Sequence, residues 1–72
     1  MSNHILYVTR RLGAGNYVFH NEFRGGSYRV IKSPDGWAIF PCNSITLQHT
    51  GYRIGMAATL SDVADVLHSF EY

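Results

Sequence analysis

A chain of 72 residues has room for one small domain with a thin core, since a domain of this size buries roughly 60% of the surface its unfolded chain exposes. Hydrophobic content of 46% and aromatic content of 14% exclude a disordered or low-complexity chain, and the single cysteine excludes an internal disulfide or a four-cysteine zinc site. The net charge of +1 is uneven: residues 1–54 carry +4 and residues 55–72, with no Lys or Arg, carry −3, so a basic front is joined to an acidic tail.

Residues 4–11 are rich in β-branched and aromatic types and predict a strand. Ile5, Tyr7 and Thr9 share one face; Leu6, Val8 and Arg10 share the other. The run is too short and too closely followed by Arg10-Arg11 to be a secretory leader, and no run approaches the roughly 20 apolar residues of a membrane span. Residues 12–16, with two glycines, predict a turn. The returning strand covers 17–23, with Tyr17, Phe19 and Phe23 on one face and Val18, His20 and Glu22 on the other. Arg24 to Ser27 break it.

Residues 27–41 read as a β-hairpin and organise the chain. Pro34 and Asp35 suit the centre of a type I turn, and Gly36 would close a three-residue loop with a bulge. Ser33 then faces Trp37, which pairs Ile31 with Ile39, Val30 with Phe40, Lys32 with Ala38 and Tyr28 with Cys42. One face carries Tyr28, Val30, Lys32, Ala38, Phe40 and Cys42; the other carries Arg29, Ile31, Trp37 and Ile39. Both are apolar, which a half-exposed hairpin should not be.

Residues 42–44 predict a turn, and residues 45–49 a short strand with Ile45, Leu47 and His49 on one face. Thr50-Gly51 is a turn or bulge before Tyr52–Ile54, and residues 55–58 are a small-residue connection. Thr59 opens a helix as the first residue of a capping box with Asp62. Leu60, Val63, Ala64, Leu67 and Phe70 form its apolar stripe. The helix is too short to stand alone in water and must dock.

The expected architecture is a single α+β domain, residues 1–72: an antiparallel β-meander of four to five strands with one C-terminal helix packed across one face. The helix covers the Tyr28–Val30 face. Arg29, Ile31, Trp37 and Ile39 are then an exposed partner-binding patch, because Trp and Arg are enriched at binding hot spots.

No catalytic constellation stands out. The four histidines lie more than five residues apart, so no metal or cofactor is expected. Cys42 and His49 could meet across a hairpin, but no helix N-terminus activates the thiol, and His20, opposite Val8 in the first hairpin and beside Glu22, reads as a solvated face. The lone thiol points to a reducing, cytoplasmic setting. The expected function is therefore non-enzymatic: a protein-binding module, acting as a small regulator or inhibitor of a larger protein, with self-association into a homodimer as one way to complete the core. The alternative is nucleic-acid binding through a basic sheet face of Arg10, Arg11, Arg24, Arg29, Lys32 and Arg53.

Two resemblances accompany these readings. The order strand, turn, strand, further strand and capped helix over Tyr28–Phe70 resembles, in shape, the arm-type DNA-binding domains of tyrosine integrases, which implies contact with DNA through the sheet; here the helix is acidic and lacks Lys. In size and architecture the chain is also similar to small phage and mobile-element accessory proteins, including anti-CRISPR-type inhibitors, which implies a partner-binding regulator.

Overall fold

The computed structural model describes residues 7–71. The strand expected to begin at residue 4 therefore starts outside the described residues. Five strands, β1 (Tyr7–Gly13), β2 (Asn16–Asn21), β3 (Ser27–Ser33), β4 (Gly36–Cys42) and β5 (Gly55–Ala57), are followed by a 3-10 turn over Leu60–Asp62 and helix α1 (Val63–Glu71). The strands form one open antiparallel sheet in sequence order, β1-β2-β3-β4-β5. This is the expected meander with a terminal helix.

The helix side carries the core. Rows of paired residues cross the sheet there: Thr9, Phe19, Tyr28 and Pro41 in one, and Arg11, Tyr17, Val30, Ile39 and Gly55 in the next. Val63, Ala64 and Leu67 of α1 pack onto Phe19, Tyr28, Val30, Ile39 and Ala57, and all of these are buried. Fully burying one aliphatic side chain contributes roughly 1.5–3 kcal/mol, so this cluster is the main source of stability.

The central hairpin departs from its expected register by one residue. Ser33 pairs with Gly36, not Trp37, so Pro34 and Asp35 form a two-residue loop. Gly36 makes this register attainable. Its φ of +136° is rarely open to residues with a side chain, and a Cβ there would lie 2.4 Å from the carbonyl oxygen of Ala57. A one-residue slip moves every side chain of β4 to the other face relative to β3. Trp37 and Ile39 therefore join Tyr28 and Val30 on the helix side, while Ala38, Phe40 and Cys42 join Arg29 and Ile31 on the opposite side.

Residues 43–57 also differ from expectation. The segment expected as a strand, 45–49, is mostly a turn: Asn43 Oδ1 accepts from the amides of Ile45 and Thr46, an Asx turn that reverses the chain. Its one ladder pairing among the described residues is at His49, an isolated bridge to Cys42. The chain then swings outward through Gly51, Tyr52 and Arg53, all exposed, and returns where the Ile54 amide donates to the Ile39 carbonyl. The fifth strand is Gly55–Ala57, in the stretch expected as a connection; Gly55 fits closely under α1, with the Val66 side chain 3.1 Å from where a Gly55 Cβ would sit.

Thr59 does precede the helical segment, but its side chain makes no capping bond; its carbonyl accepts from the Asp62 amide, and its hydroxyl lies 3.1 Å from that of Ser61. The stripe runs through Val63, Ala64 and Leu67 as expected, with Leu60 and Val66 at its margins. Phe70 is 57% exposed and lies off it. Position 71, four residues beyond Leu67, takes the inward place. There the Glu71 carboxylate accepts hydrogen bonds from Tyr7 (2.6 Å), Asn21 Nδ2 (2.8 Å) and Tyr28 (2.8 Å). Phe23, expected in strand β2 beside Phe19, instead lies exposed in the β2–β3 turn, because Asn21 Oδ1 accepts from the amides of Phe23 and Arg24 and ends the strand.

Candidate functional site

The sheet face away from α1 is the surface on which polar groups converge. Its rows are Val8, His20, Ser27 and Cys42; Arg10, Val18, Arg29 and Phe40; and Asn16, Ile31, Ala38 and Met56. The pairing of Val8 with His20 agrees with the sequence reading. The neighbour that engages His20 does not: it is Ser27, whose Oγ lies 2.8 Å from Nδ1, and not Glu22, which is exposed in the turn.

The loop over residues 43–48 folds against this face and is held from below. Within it, the Leu47 amide donates to the Asn43 carbonyl and the Asn43 amide to the Gln48 carbonyl. Arg29 fixes it to the sheet: one guanidinium nitrogen donates to the Leu47 carbonyl at 2.9 Å, another to Asn16 Oδ1 at 2.7 Å. Leu47 has φ of +64°, a left-handed conformation that costs a side-chain-bearing residue on the order of 1 kcal/mol or more. His49, just beyond the loop, stacks on Phe40 with ring centroids 4.4 Å apart.

Between this loop and the β1–β2–β3 surface lies a cleft of about 290 Å³. Val8, Val18 and Leu47 supply apolar walls; Arg10, His20, Ser27 and Ser44 supply the polar ones, and among the described residues none that lines it is acidic. Ser27 was not singled out by the sequence. It stands in a break-to-strand transition that carries no pattern, and its partner lies seven positions away.

The residues expected to form a partner-binding patch do not form one surface. Ile39 is fully buried in the core. Trp37 is half-buried on the helix side, edge-on to Tyr17 at 5.6 Å and with the Lys32 ammonium 5.9 Å from its ring centroid. Arg29 and Ile31 lie half-buried on the other face, with Arg29 committed to the loop. The residues of the basic alternative are likewise divided. Arg10 and Arg29 belong to the face away from the helix, Arg11 and Lys32 to the helix face, Arg24 to the β2–β3 turn and Arg53 to the outward excursion. Cys42 and His49 do meet as bridge partners, yet burial pushes the Cys42 thiol up despite the opposing charge of Arg29, away from thiolate chemistry.

β1 is the sheet's outer strand on this side. From Val8 through Leu12 every residue is exposed, and among the described residues its outer edge has no pairing strand. Among the described residues no helix is long and apolar enough to cross a membrane. Comparison with protein-family models, curated proteins and solved structures finds no match to this chain.

Proposed function

We propose that this protein is a non-enzymatic protein-binding module that takes an extended segment of a larger partner onto the outer edge of β1, and so regulates or inhibits that partner. The observation that carries this reading is the edge itself. β1 is seven residues long, free of proline, and exposed on both faces from Val8 to Leu12. An edge of this kind offers a row of backbone donors and acceptors to an added strand. Val8 and Leu12 provide apolar contact, and Arg10 and Arg11 provide charge on opposite faces.

The arginine pair also favours a different chain over a second copy. Two β1 strands paired antiparallel about their central residue would set Arg10 against its own counterpart, and like charges directly opposed across strands are destabilising. A segment bearing Asp or Glu has the complementary charge. The nucleic-acid reading draws less support, because its six basic residues are spread over both faces and two loops.

Proline placed at Thr9 and at Arg10, one at a time, tests the proposal. Consecutive strand amides point to opposite edges. One variant therefore damages the β1–β2 ladder, and the other stays folded while losing an outward donor. Affinity capture with nuclease-treated lysate should retain a protein on the wild type and lose it on the folded proline variant. Retention unchanged on that variant, or capture that vanishes with nuclease, defeats the reading.

A further inference from the structure

We propose that the cleft beneath the loop over residues 43–48 is a receptor for a carboxylate carried on a short apolar body. This goes beyond strand addition at β1 and does not depend on it.

The walls supply both halves of such a ligand. Val8, Val18 and Leu47 offer apolar surface, and Arg10, His20 and Ser27 offer the polar end. The His20–Ser27 pair keeps a donor available in every protonation state. With the proton on Nδ1, the ring donates to Ser27 and the serine hydroxyl is left to donate outward. With the proton on Nε2, Nδ1 accepts from Ser27 and the Nε2–H donates instead. Arg10 adds a planar guanidinium, which matches a carboxylate in geometry and charge.

Charge count selects a monoanion. Of the two arginines in the row Arg10, Val18, Arg29 and Phe40, Arg29 is spent on the Leu47 carbonyl and Asn16. Among the described residues that line the cleft, Arg10 then supplies the one guanidinium and none is acidic, which suits a carboxylate better than a phosphate dianion. The volume of about 290 Å³ lies at the lower end of ligand pockets and suits a short aliphatic acid or one acidic side chain. The wall is also built at a cost: Leu47 is held at positive φ, with its carbonyl gripped by Arg29. Strain of this kind gathers at ligand sites.

Titration of the full chain, followed by amide chemical shifts, decides the matter. The probes are pentanoate, pentan-1-ol, inorganic phosphate, and an end-blocked pentapeptide with one central Glu. Pentanoate or the peptide should give saturable shifts centred on Val8, Val18, His20 and Ser27, at least tenfold tighter than pentanol or phosphate. Arg10→Gln, at an exposed edge position, should weaken that binding about tenfold or more. Ser44→Trp, on the exposed loop, should block it. Tighter binding of pentanoate identifies a free small acid as the source; tighter binding of the peptide, with β1 amides also shifted, identifies a side chain of a docked segment. No saturable shift with either carboxylate, equal affinity for pentanol, or equal affinity in folded Arg10→Gln overturns the proposal.

Discussion

The hydroxyl of Tyr7 donates a 2.6 Å hydrogen bond to Oε2 of Glu71, 64 positions away, and ties the first described residue of the sheet to the last turn of the helix. Asn21 and Tyr28 donate to the same carboxylate, so one side chain gathers β1, β2 and β3 under α1. Burial alone would raise the Glu71 carboxyl, but these three bonds, with the charge of Arg24, outweigh it and hold the group below its ordinary value of 4.5. Burial, together with the bond to Glu71 and its charge, pushes the Tyr7 hydroxyl well above its ordinary range.

Stability should therefore depend on acid. The folded carboxyl titrates below its unfolded value, so the unfolded chain takes up the proton first. The contribution of Glu71 is complete above about 4.5 and is lost as pH falls through the lower, folded value. Urea unfolding from pH 7 to pH 2 should show this loss, and Glu71→Gln should flatten it. At pH 7 the same variant should cost about 2 kcal/mol, the scale of hydrogen bonds to a charged group. An unchanged acid profile in Glu71→Gln would assign the dependence to other carboxylates.

The helix stripe predicts a sharp contrast between two large apolar residues. Leu67 is fully buried against the sheet, whereas Phe70 is 57% exposed. Leu67→Ala should cost about 2–5 kcal/mol, the range for truncating a buried leucine. Phe70→Ala should change stability by about 0.5 kcal/mol or less, as surface positions do. Parallel chemical denaturation of the two variants measures this, and similar losses would mean that the helix is rotated from the position described.

The overall meander was legible because alternation, turn residues and one amphipathic segment all point to it. The turns at Asn21 and Asn43 depart from expectation through local side-chain bonds that end or replace a strand, whereas the hairpin register and the helix face depend on contacts across long sequence separations. The turn at Pro34-Asp35-Gly36 is compatible with a two- or a three-residue loop. What selects the shorter one is the Ala57 carbonyl packed where a Gly36 Cβ would stand, and no local pattern shows that. Periodicity placed Phe70 on the stripe by its hydrophobicity, although Glu71 occupies the inward position because two tyrosines and an asparagine from the sheet await it. In the candidate cleft, His20 and Arg10 were visible as residue types on one face. Ser27 and Leu47 were not, since one depends on the β2–β3 register and the other on a left-handed backbone that leucine rarely adopts.

Gly36 should tolerate no side chain. Alanine there meets both an unfavourable φ and a carbonyl oxygen 2.4 Å from the new Cβ. β5 has to retreat or the turn has to open, at a cost of at least about 2 kcal/mol. Hydrogen exchange of Gly36→Ala should show faster exchange in β5 and at the tip of the β3–β4 hairpin than in β1 and β2. Uniform acceleration would mean that the turn and β5 are not locally coupled.

Trp37 reports on the hairpin register directly. Placed on the helix side, beside Tyr17 and under the Lys32 chain, its indole is partly shielded from water. Its emission should lie to the blue of a free indole, and acrylamide quenching should be partial. With the three-residue loop, Trp37 would stand on the opposite face beside Arg29 and Ile31, with a red-shifted and freely quenched signal. The two registers thus differ in a single fluorescence spectrum of the dilute wild-type protein.

Arg29 should control the loop over residues 43–48 more than the sheet beneath it. Its two nitrogens bridge the Leu47 carbonyl and Asn16, while its Nε is buried with no hydrogen-bond partner among the described residues. Arg29→Lys keeps the charge but loses the planar fork, so it can serve only one of the two acceptors well. Leu47 then holds its left-handed conformation with less support. The variant should lose about 1–2 kcal/mol, the scale of a hydrogen bond from a charged donor, and the Leu47 amide should exchange faster while β3 amides stay protected. Protection of Leu47 unchanged in Arg29→Lys would show that the Asn43 turn alone holds the loop.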